Sequence, residues 1–213
     1  MPNIIGDIAG QYDSLMVLLK KMPDDEPISV GDMIDRGPKS KEVVEWFMNN
    51  GQALFGNHEH LMVDEVTRRF FYNPGTWMAN GGGKTLDSFG WHIPDEVVEW
   101  VCNLPLSMEF KTKDGVIFVA HSFLPADQDE KLSFDIEYDG GNFWAPNNII
   151  WNRGEPKRID KYIMQIAGHN SQFGLRRFAD EKGEFAVCVD SSRDKILTGI
   201  HIPSMEIFQQ PYI

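Results

Sequence analysis

The sequence predicts an α/β fold in which two mixed β-sheets pack together and are flanked by α-helices, as one domain over residues 1–213. Strand-like and amphipathic helical runs alternate through the first third, and short strand-like runs crowd the second half. No internal repeat or low-complexity linker divides the chain, and 213 residues are enough for a sizeable core.

The elements follow in order. Ile4 and Ile5 form a short strand that runs into a glycine turn. Leu15, Leu18, Leu19 and Met22 share one helical face, and Pro23 ends that helix. Residues 28–30 are the next strand. Ser40 is placed to cap a helix that buries Val43, Val44 and Phe47, and Gly51 closes it. Residues 53–55 are the third strand. This βαβαβ order predicts a parallel sheet with functional loops at the C-terminal ends of its strands. Residues 59–103 read as mostly helical, interrupted at Gly81-Gly82-Gly83. Residues 108–112 and 116–120 flank Lys113-Asp114-Gly115, a hairpin signal. Later strands are expected at 149–151, 163–167, 185–190, 196–202 and 205–208.

The formal net charge is -12, which repels phosphate backbones and argues against general nucleic-acid binding. It leaves room for a local positive pocket and suits a site that concentrates divalent cations. Cys102 and Cys188 lie far apart, outside any metal-ligand spacing, and are expected to be reduced, largely buried thiols. The longest aliphatic run near the start, 15–19, is far too short to span a bilayer, so a cytoplasmic protein with no membrane partner is the expectation.

Polar clusters follow the strands. They are Gly6-Asp7-Ile8-Ala9-Gly10, Gly31-Asp32-Met33-Ile34-Asp35-Arg36-Gly37 and Gly56-Asn57-His58-Glu59, with His121 and Gly168-His169 after two later strands. Each has a bland reading alone: a turn at Asp7, a helix cap at Asn57, an ion pair between Asp35 and Arg36. Five apolar strands that each end in Asp, Asn or His are hard to explain that way, because a carboxylate at the tip of a core strand needs a partner. A pair of divalent metals supplies one, and the mix of carboxylate, amide and imidazole suits manganese, iron or zinc.

In this order the clusters resemble the signature of the phosphoprotein phosphatases, which belong to the calcineurin-like metallophosphoesterases. Asn80-Gly81-Gly82-Gly83 and Trp151-Asn152-Arg153 are similar to the small bacterial and phage branch typified by the phage lambda phosphatase. Diadenosine tetraphosphatases carry similar motifs. The resemblance implies a metallophosphoesterase fold, two divalent ions and in-line hydrolysis of phosphate monoesters without a phosphoenzyme. It implies that Asp7 binds the first metal, Asp32 bridges both, and Asn57, His121 and His169 bind the second. His58 becomes the general acid, oriented by Asp35, and Arg36 and Arg153 grip the phosphate. Asp190 is expected to support the site rather than ligate.

Two positions depart from the pattern. Ala9 stands where the family has a histidine ligand of the first metal, so impaired activity is expected. Phe55 stands where many relatives have arginine, which points to tuned substrate choice. Gly83-Lys84-Thr85 imitates the end of a phosphate-binding P-loop, but Met78 occupies the place of that motif's first glycine. The function expected first is a protein serine/threonine phosphatase, with tyrosine possible as a further target. The alternatives are hydrolysis of dinucleoside polyphosphates or cyclic nucleotides, and an inactive module that binds phosphate through Arg36 and Arg153. The partner is then a phosphorylated protein or a small phosphoester.

Overall fold

The structure, a computed structural model, describes residues 1–67, 75–124 and 149–213. Two five-stranded sheets form its centre. In the first, β1 (Asn3–Ile5) and β2 (Pro27–Ser29) are parallel, as are β2 and β3 (Gln52–Ala53), while β9 (Ile196–His201) and β10 (Glu206–Pro211) extend the sheet antiparallel beyond β1. In the second, the order is β4 (Ser107–Lys111), β5 (Val116–Ala120), β6 (Met164–Ala167), β8 (Gly183–Cys188) and β7 (Arg176–Asp180). Strands β5, β6 and β8 run parallel, with β4 and β7 antiparallel at the edges.

The two-residue period of a strand explains how these sheets stack. Ile4 and Ile28 from one sheet meet Ile117, Val119, Ile166 and Val187 from the other in a shared apolar layer. Their neighbours Ile5 and Phe118 turn the other way, into clusters formed with the helices. Helix α1 (Tyr12–Lys21) buries Leu15 and Leu18, and α2 (Ser40–Asn50) buries Val43, Val44 and Phe47. A fully buried side chain of this kind contributes roughly 1.5–3 kcal/mol relative to leaving it exposed. Helix α3 (Asn57–Thr67) is separated from the third strand by three residues, and α4 (Gly83–Ser88) and α5 (Asp95–Cys102) follow. A π-helical turn at Met78–Gly82 leads into α4, and Gly81, with φ 110°, makes the kink that the glycine run suggested.

Several expectations need correcting. Residues 149–151 form a turn, not a strand; the Ser122 N–H and hydroxyl both donate to the Ile149 carbonyl, which takes it out of any ladder. Ser40 does not cap α2. Its hydroxyl accepts the Asp35 N–H at 3.1 Å, and Lys39 occupies the cap position. Cys102 is exposed, whereas Cys188 is buried. Strand β7 was not anticipated. Among the described residues no helix is long and apolar enough to cross a membrane.

Candidate functional site

The polar residues converge where strands of both sheets end. Asp7 lies two residues beyond β1, Asp32 three beyond β2, and Asn57 opens α3 after β3. From the other sheet come His121, directly after β5, His169, two residues beyond β6, and Asp190, two beyond β8. All six are buried. Within the second sheet the tips are tied together, the Gly168 N–H donating to the His121 carbonyl at 2.9 Å and the Val189 N–H to the Ala167 carbonyl at 2.7 Å, while the His169 N–H reaches across to Asp7 of the first sheet.

The chain is bent sharply at these tips. Among the described residues, eight other than glycine have positive φ, and Ala9, Asp32, Asp35, Arg36 and His169 account for five of them. Such backbone is costly for L-residues and persists where the surroundings impose it. Glu59 is one source of that constraint. Fully buried, it accepts the N–H groups of Asp32 (2.8 Å), Met33 (2.8 Å) and Gly56 (3.1 Å), clamping the β2 loop onto α3. Burial, and then the charge of Asp32, pushes the Glu59 carboxyl up to about 7 despite those donors.

Four atoms around Asp32 form an arrangement that can hold a cation. The His121 Nδ1–H donates to the Val30 carbonyl at 3.0 Å, which leaves a lone pair on Nε2. Burial pushes the His121 pKa down, so this imidazole is neutral. Its Nε2 lies 3.3 Å from Asp32 Oδ1 and 3.0 Å from Asn57 Oδ1, both acceptors. His169 Nδ1 reaches the same Asn57 oxygen at 2.6 Å, and burial, with His121 next, holds His169 down to about 3. Donor atoms of Asp32, His121 and His169 all lie within 4.8 Å of one another. Acceptors gathered this closely repel unless a positive ion sits among them, and nitrogen with oxygen suits a transition metal. The residues present therefore fit a divalent ion.

The first-motif side is different. The His169 N–H donates to both Asp7 oxygens, at 3.1 and 3.2 Å. Burial, then the charges of Asp190 and Asp32, raises the Asp7 pKa well above the carboxylate range, and Asp190 hydrogen-bonds to it. A second cation would relieve this carboxylate pair. Ala9 beside it offers only a methyl group.

His58 lies against the cluster. Its Nδ1 is 2.5 Å from Asp35 Oδ2, and its Nε2 is 3.7 Å from Asp32 Oδ2. Burial lowers its pKa, but Asp32 and the Asp35 hydrogen bond outweigh this and raise it overall. Asp35 is itself held by partners that no local pattern in the sequence revealed: Trp77 Nε1–H donates to both its oxygens at 3.0 Å, and the Thr85 hydroxyl to Oδ1 at 2.6 Å. Thr85 is the threonine of the P-loop imitation, used here as a support. The exposed Arg36 donates to His58 Nε2 at 2.9 Å. Arg153 is also exposed and adds positive charge near His169. Asn152 anchors its turn by donating to the Phe123 carbonyl at 2.7 Å. Phe55 is buried in the core beside His60, with ring centroids 6.0 Å apart.

Residues 3–198 match the family described as calcineurin-like phosphoesterase. The chain is 30% identical over 185 residues to serine/threonine-protein phosphatase 1 of Salmonella typhimurium, covering 83% of this chain and 80% of that protein. It is also 30% identical over 133 residues to the symmetrical bis(5'-nucleosyl)-tetraphosphatase of Nitrosococcus oceani, covering 59% of this chain and 44% of that protein. Its fold is like that of the cold-active protein-tyrosine phosphatase of a psychrophilic Shewanella, with a TM-score of 0.61 and 19% identity over 99% of this chain and 77% of the other.

Proposed function

The chain belongs to the calcineurin-like phosphoesterase family, and on that premise we propose that it hydrolyses phosphate monoesters with two divalent metals, acting in the cytoplasm on phosphoserine or phosphothreonine in proteins. The observation that carries this is the set of unprotonated acceptors on Asp32, Asn57, His121 and His169, with the His58–Asp35 pair beside it.

Asp32, Asn57, His121 and His169 would hold one ion, and Asp7 with Asp32 the other, with Asp190 supporting Asp7. Manganese fits this donor set, as do iron and zinc. Such metals, when bound, polarise phosphoryl oxygens and make water acidic enough to supply the nucleophile at neutral pH. The remaining work belongs to side chains. Arg36 and Arg153 orient the phosphate through their forked donors. As the bond from phosphorus to the ester oxygen breaks, His58 gives its Nε2 proton to that oxygen, and Asp35 holds the imidazole in line. Protonated Nε2 cannot accept from Arg36, so charging His58 frees that guanidinium for the phosphate.

A second reading, hydrolysis of dinucleoside polyphosphates, is favoured by a cationic cavity beside the cluster, lined in part by Arg36, Arg193 and Lys195. The reading as a catalytically silent phosphate-binding module is disfavoured, because binding alone has no use for the buried His58–Asp35 pair. The test is turnover of a phosphopeptide, diadenosine tetraphosphate and para-nitrophenyl phosphate by the chain and its Ala9→His form, each titrated with manganese. Turnover of at least the aryl ester is expected. A histidine form that binds manganese yet hydrolyses none of the three would sink the proposal.

A further inference from the structure

Next to the metal-facing cluster lies a cavity of about 430 Å³, lined by Ala9 and Arg36 on the cluster side and by Arg193, Lys195, Ser192 and Ser171 further out. Its charge runs against that of the molecule. The chain carries a net -12, and several surface cations are paired, as in Lys39 with Asp13, Lys161 with Glu109, Arg158 with Asp180 and Arg177 with Glu184. Among the described residues, Arg36, Arg193 and Lys195 pair with no carboxylate. Three unpaired cations around one concavity on an acidic protein form a local field that attracts an anion.

The segment that carries two of them is built, not loose. The Ser192 N–H donates to Asp190 Oδ1 at 3.0 Å, and the Arg193 N–H to the Ser171 hydroxyl at 2.8 Å. The Lys195 N–H closes onto the Ser192 carbonyl at 3.0 Å, with Lys195 in the left-handed region at φ 58°. The nearby Asp194 carboxylate is occupied by the Gly174 N–H at 2.6 Å. The cations are thus tethered through Asp190 to the site itself. Beside Arg193, and outside the cavity lining itself, stands Phe173, 74% exposed, with the Arg193 guanidinium 4.6 Å from its ring centroid. An aromatic ring so exposed beside a phosphate-binding group is a platform on which a base can stack.

We propose that this cavity is a subsite for a second phosphate of the substrate, held by Arg193 and Lys195, and that through it the site also admits nucleoside polyphosphates, the substrates of the second reading above, whose base stacks on Phe173. For turnover the inference rests on the phosphoester-hydrolase reading above. A phosphate attacked beside Arg36 places the next phosphate of an anhydride toward Arg193 and Lys195. Water oxygen bonds to the attacked phosphorus, the bond from that phosphorus to the bridging oxygen breaks, and the bridging oxygen leaves with the second phosphate. The two cations take up its charge, and the water proton is released to solvent. A phosphate leaving group needs no proton from His58, so cleavage of an anhydride depends less on that residue than cleavage of an alkyl ester.

Calorimetric binding of AMP and of the methylene-bridged, uncleavable analogue of ADP, in excess manganese, reads the subsite without turnover. The analogue is expected to bind at least about tenfold more tightly than AMP, as two charge-assisted contacts allow. Arg193→Ala with Lys195→Ala should abolish that difference. Phe173→Ala should weaken both nucleotides, by roughly tenfold from lost stacking, and leave inorganic phosphate unaffected. In turnover, the double substitution should lower kcat/KM for diadenosine tetraphosphate relative to that for para-nitrophenyl phosphate by at least about tenfold. Equal affinities for AMP and the analogue, or a difference that survives the double substitution, would overturn the subsite. A binding difference without turnover of any ester would support the subsite and count instead against the hydrolase reading.

Discussion

Ala9 sits in the loop after β1, beside Asp7. Its φ is 49°, its N–H donates to the Asp32 carbonyl, and its carbonyl accepts the Gly37 N–H, so the loop keeps its shape without a ligand at this position. Alanine is poorly suited to the left-handed region, where histidine is found more often, and the adjoining cavity has space for an imidazole. Ala9→His is therefore expected to fold normally and to raise manganese affinity at the Asp7 side by at least about tenfold, since even indirect changes around a metal cost that much. Titration calorimetry should show the stoichiometry moving from one tight ion toward two, with phosphatase activity rising alongside. Unchanged affinity and activity would mean that position 9 faces no metal. His58 makes the second test at this scale. Its folded pKa is raised, so the charged form contributes stability that is fully present below about pH 6.5 and is lost as pH rises through the folded value. NMR titration should find the His58 pKa above 6.5 and find it lowered in Asp35→Asn. In an Ala9→His background, His58→Asn should slow alkyl phosphates by roughly 10²–10⁴-fold and aryl phosphates by less, because acidic leaving groups need no proton. Equal losses would leave His58 only a positioning role.

The strand tip is the element that makes the site, and it accounts for what could be read in advance. An apolar run followed by Gly and then Asp, Asn or His marks the tips at Asp7, Asp32, Asn57 and His169 locally, and His121 ends an apolar run directly. The parallel βαβαβ order then sends the first three tips to one edge of a sheet. Parts of the site made by packing left no such mark. Trp77 and Thr85 reach Asp35 across 42 and 50 residues, and Arg193 joins the cavity from a turn after β8. Strand β7 escaped notice because Arg176 to Asp180 is a polar edge strand with few apolar residues, and 149–151 misled because Ile149 and Ile150 are buried without joining a sheet. The glycines before four of these tips also have a reason that only three dimensions show. A Cβ on Gly168 would strike Asp7 Oδ1 and come within 2.7 Å of Val30, and one on Gly56 would lie 2.5 Å from Asp32 Oδ1. Gly168→Ala is thus expected to displace Asp7, weakening metal binding more than stability. A melting temperature close to the parent's with manganese affinity lowered severalfold would bear this out, and unchanged affinity would count against it.

For the whole molecule, these buried carboxyls are a cost that a bound cation would offset. Two sheets drive Asp7, Asp32, Glu59 and Asp190 into one buried region, and the Asp7 and Glu59 carboxyls respond with raised pKa values. The sign follows from proton counting. A carboxyl that holds its proton in the folded state but not in the unfolded one makes stability fall as pH rises. For Asp7 that decline begins at its unfolded value near 3.8 and continues up to its folded value; for Glu59 it runs from 4.5 to about 7. These two carboxyls therefore pull metal-free stability down between about pH 4 and 7, against the rise that the buried, neutral His121 and His169, with lowered pKa values, supply as pH climbs toward 6.5. Asp7→Asn removes one of these charges with little change in shape, and substitutions that relieve such a site typically stabilise by about 0.5–2 kcal/mol. For a chain of this length each kcal/mol corresponds to roughly 2–4 °C in Tm. The metal-free variant should thus melt a few degrees higher than the parent at pH 7, with the gap closing toward pH 4. Added manganese should reverse the order. Binding at a hundred times its Kd stabilises the folded state by about 2.7 kcal/mol, and the variant has lost a carboxylate that would share in it. Melting curves of both proteins across pH, in EDTA and in manganese, would decide the matter. A variant that melts lower than the parent in EDTA at pH 7 would show that Asp7 is held by its hydrogen bonds to His169 and is no electrostatic burden on the fold.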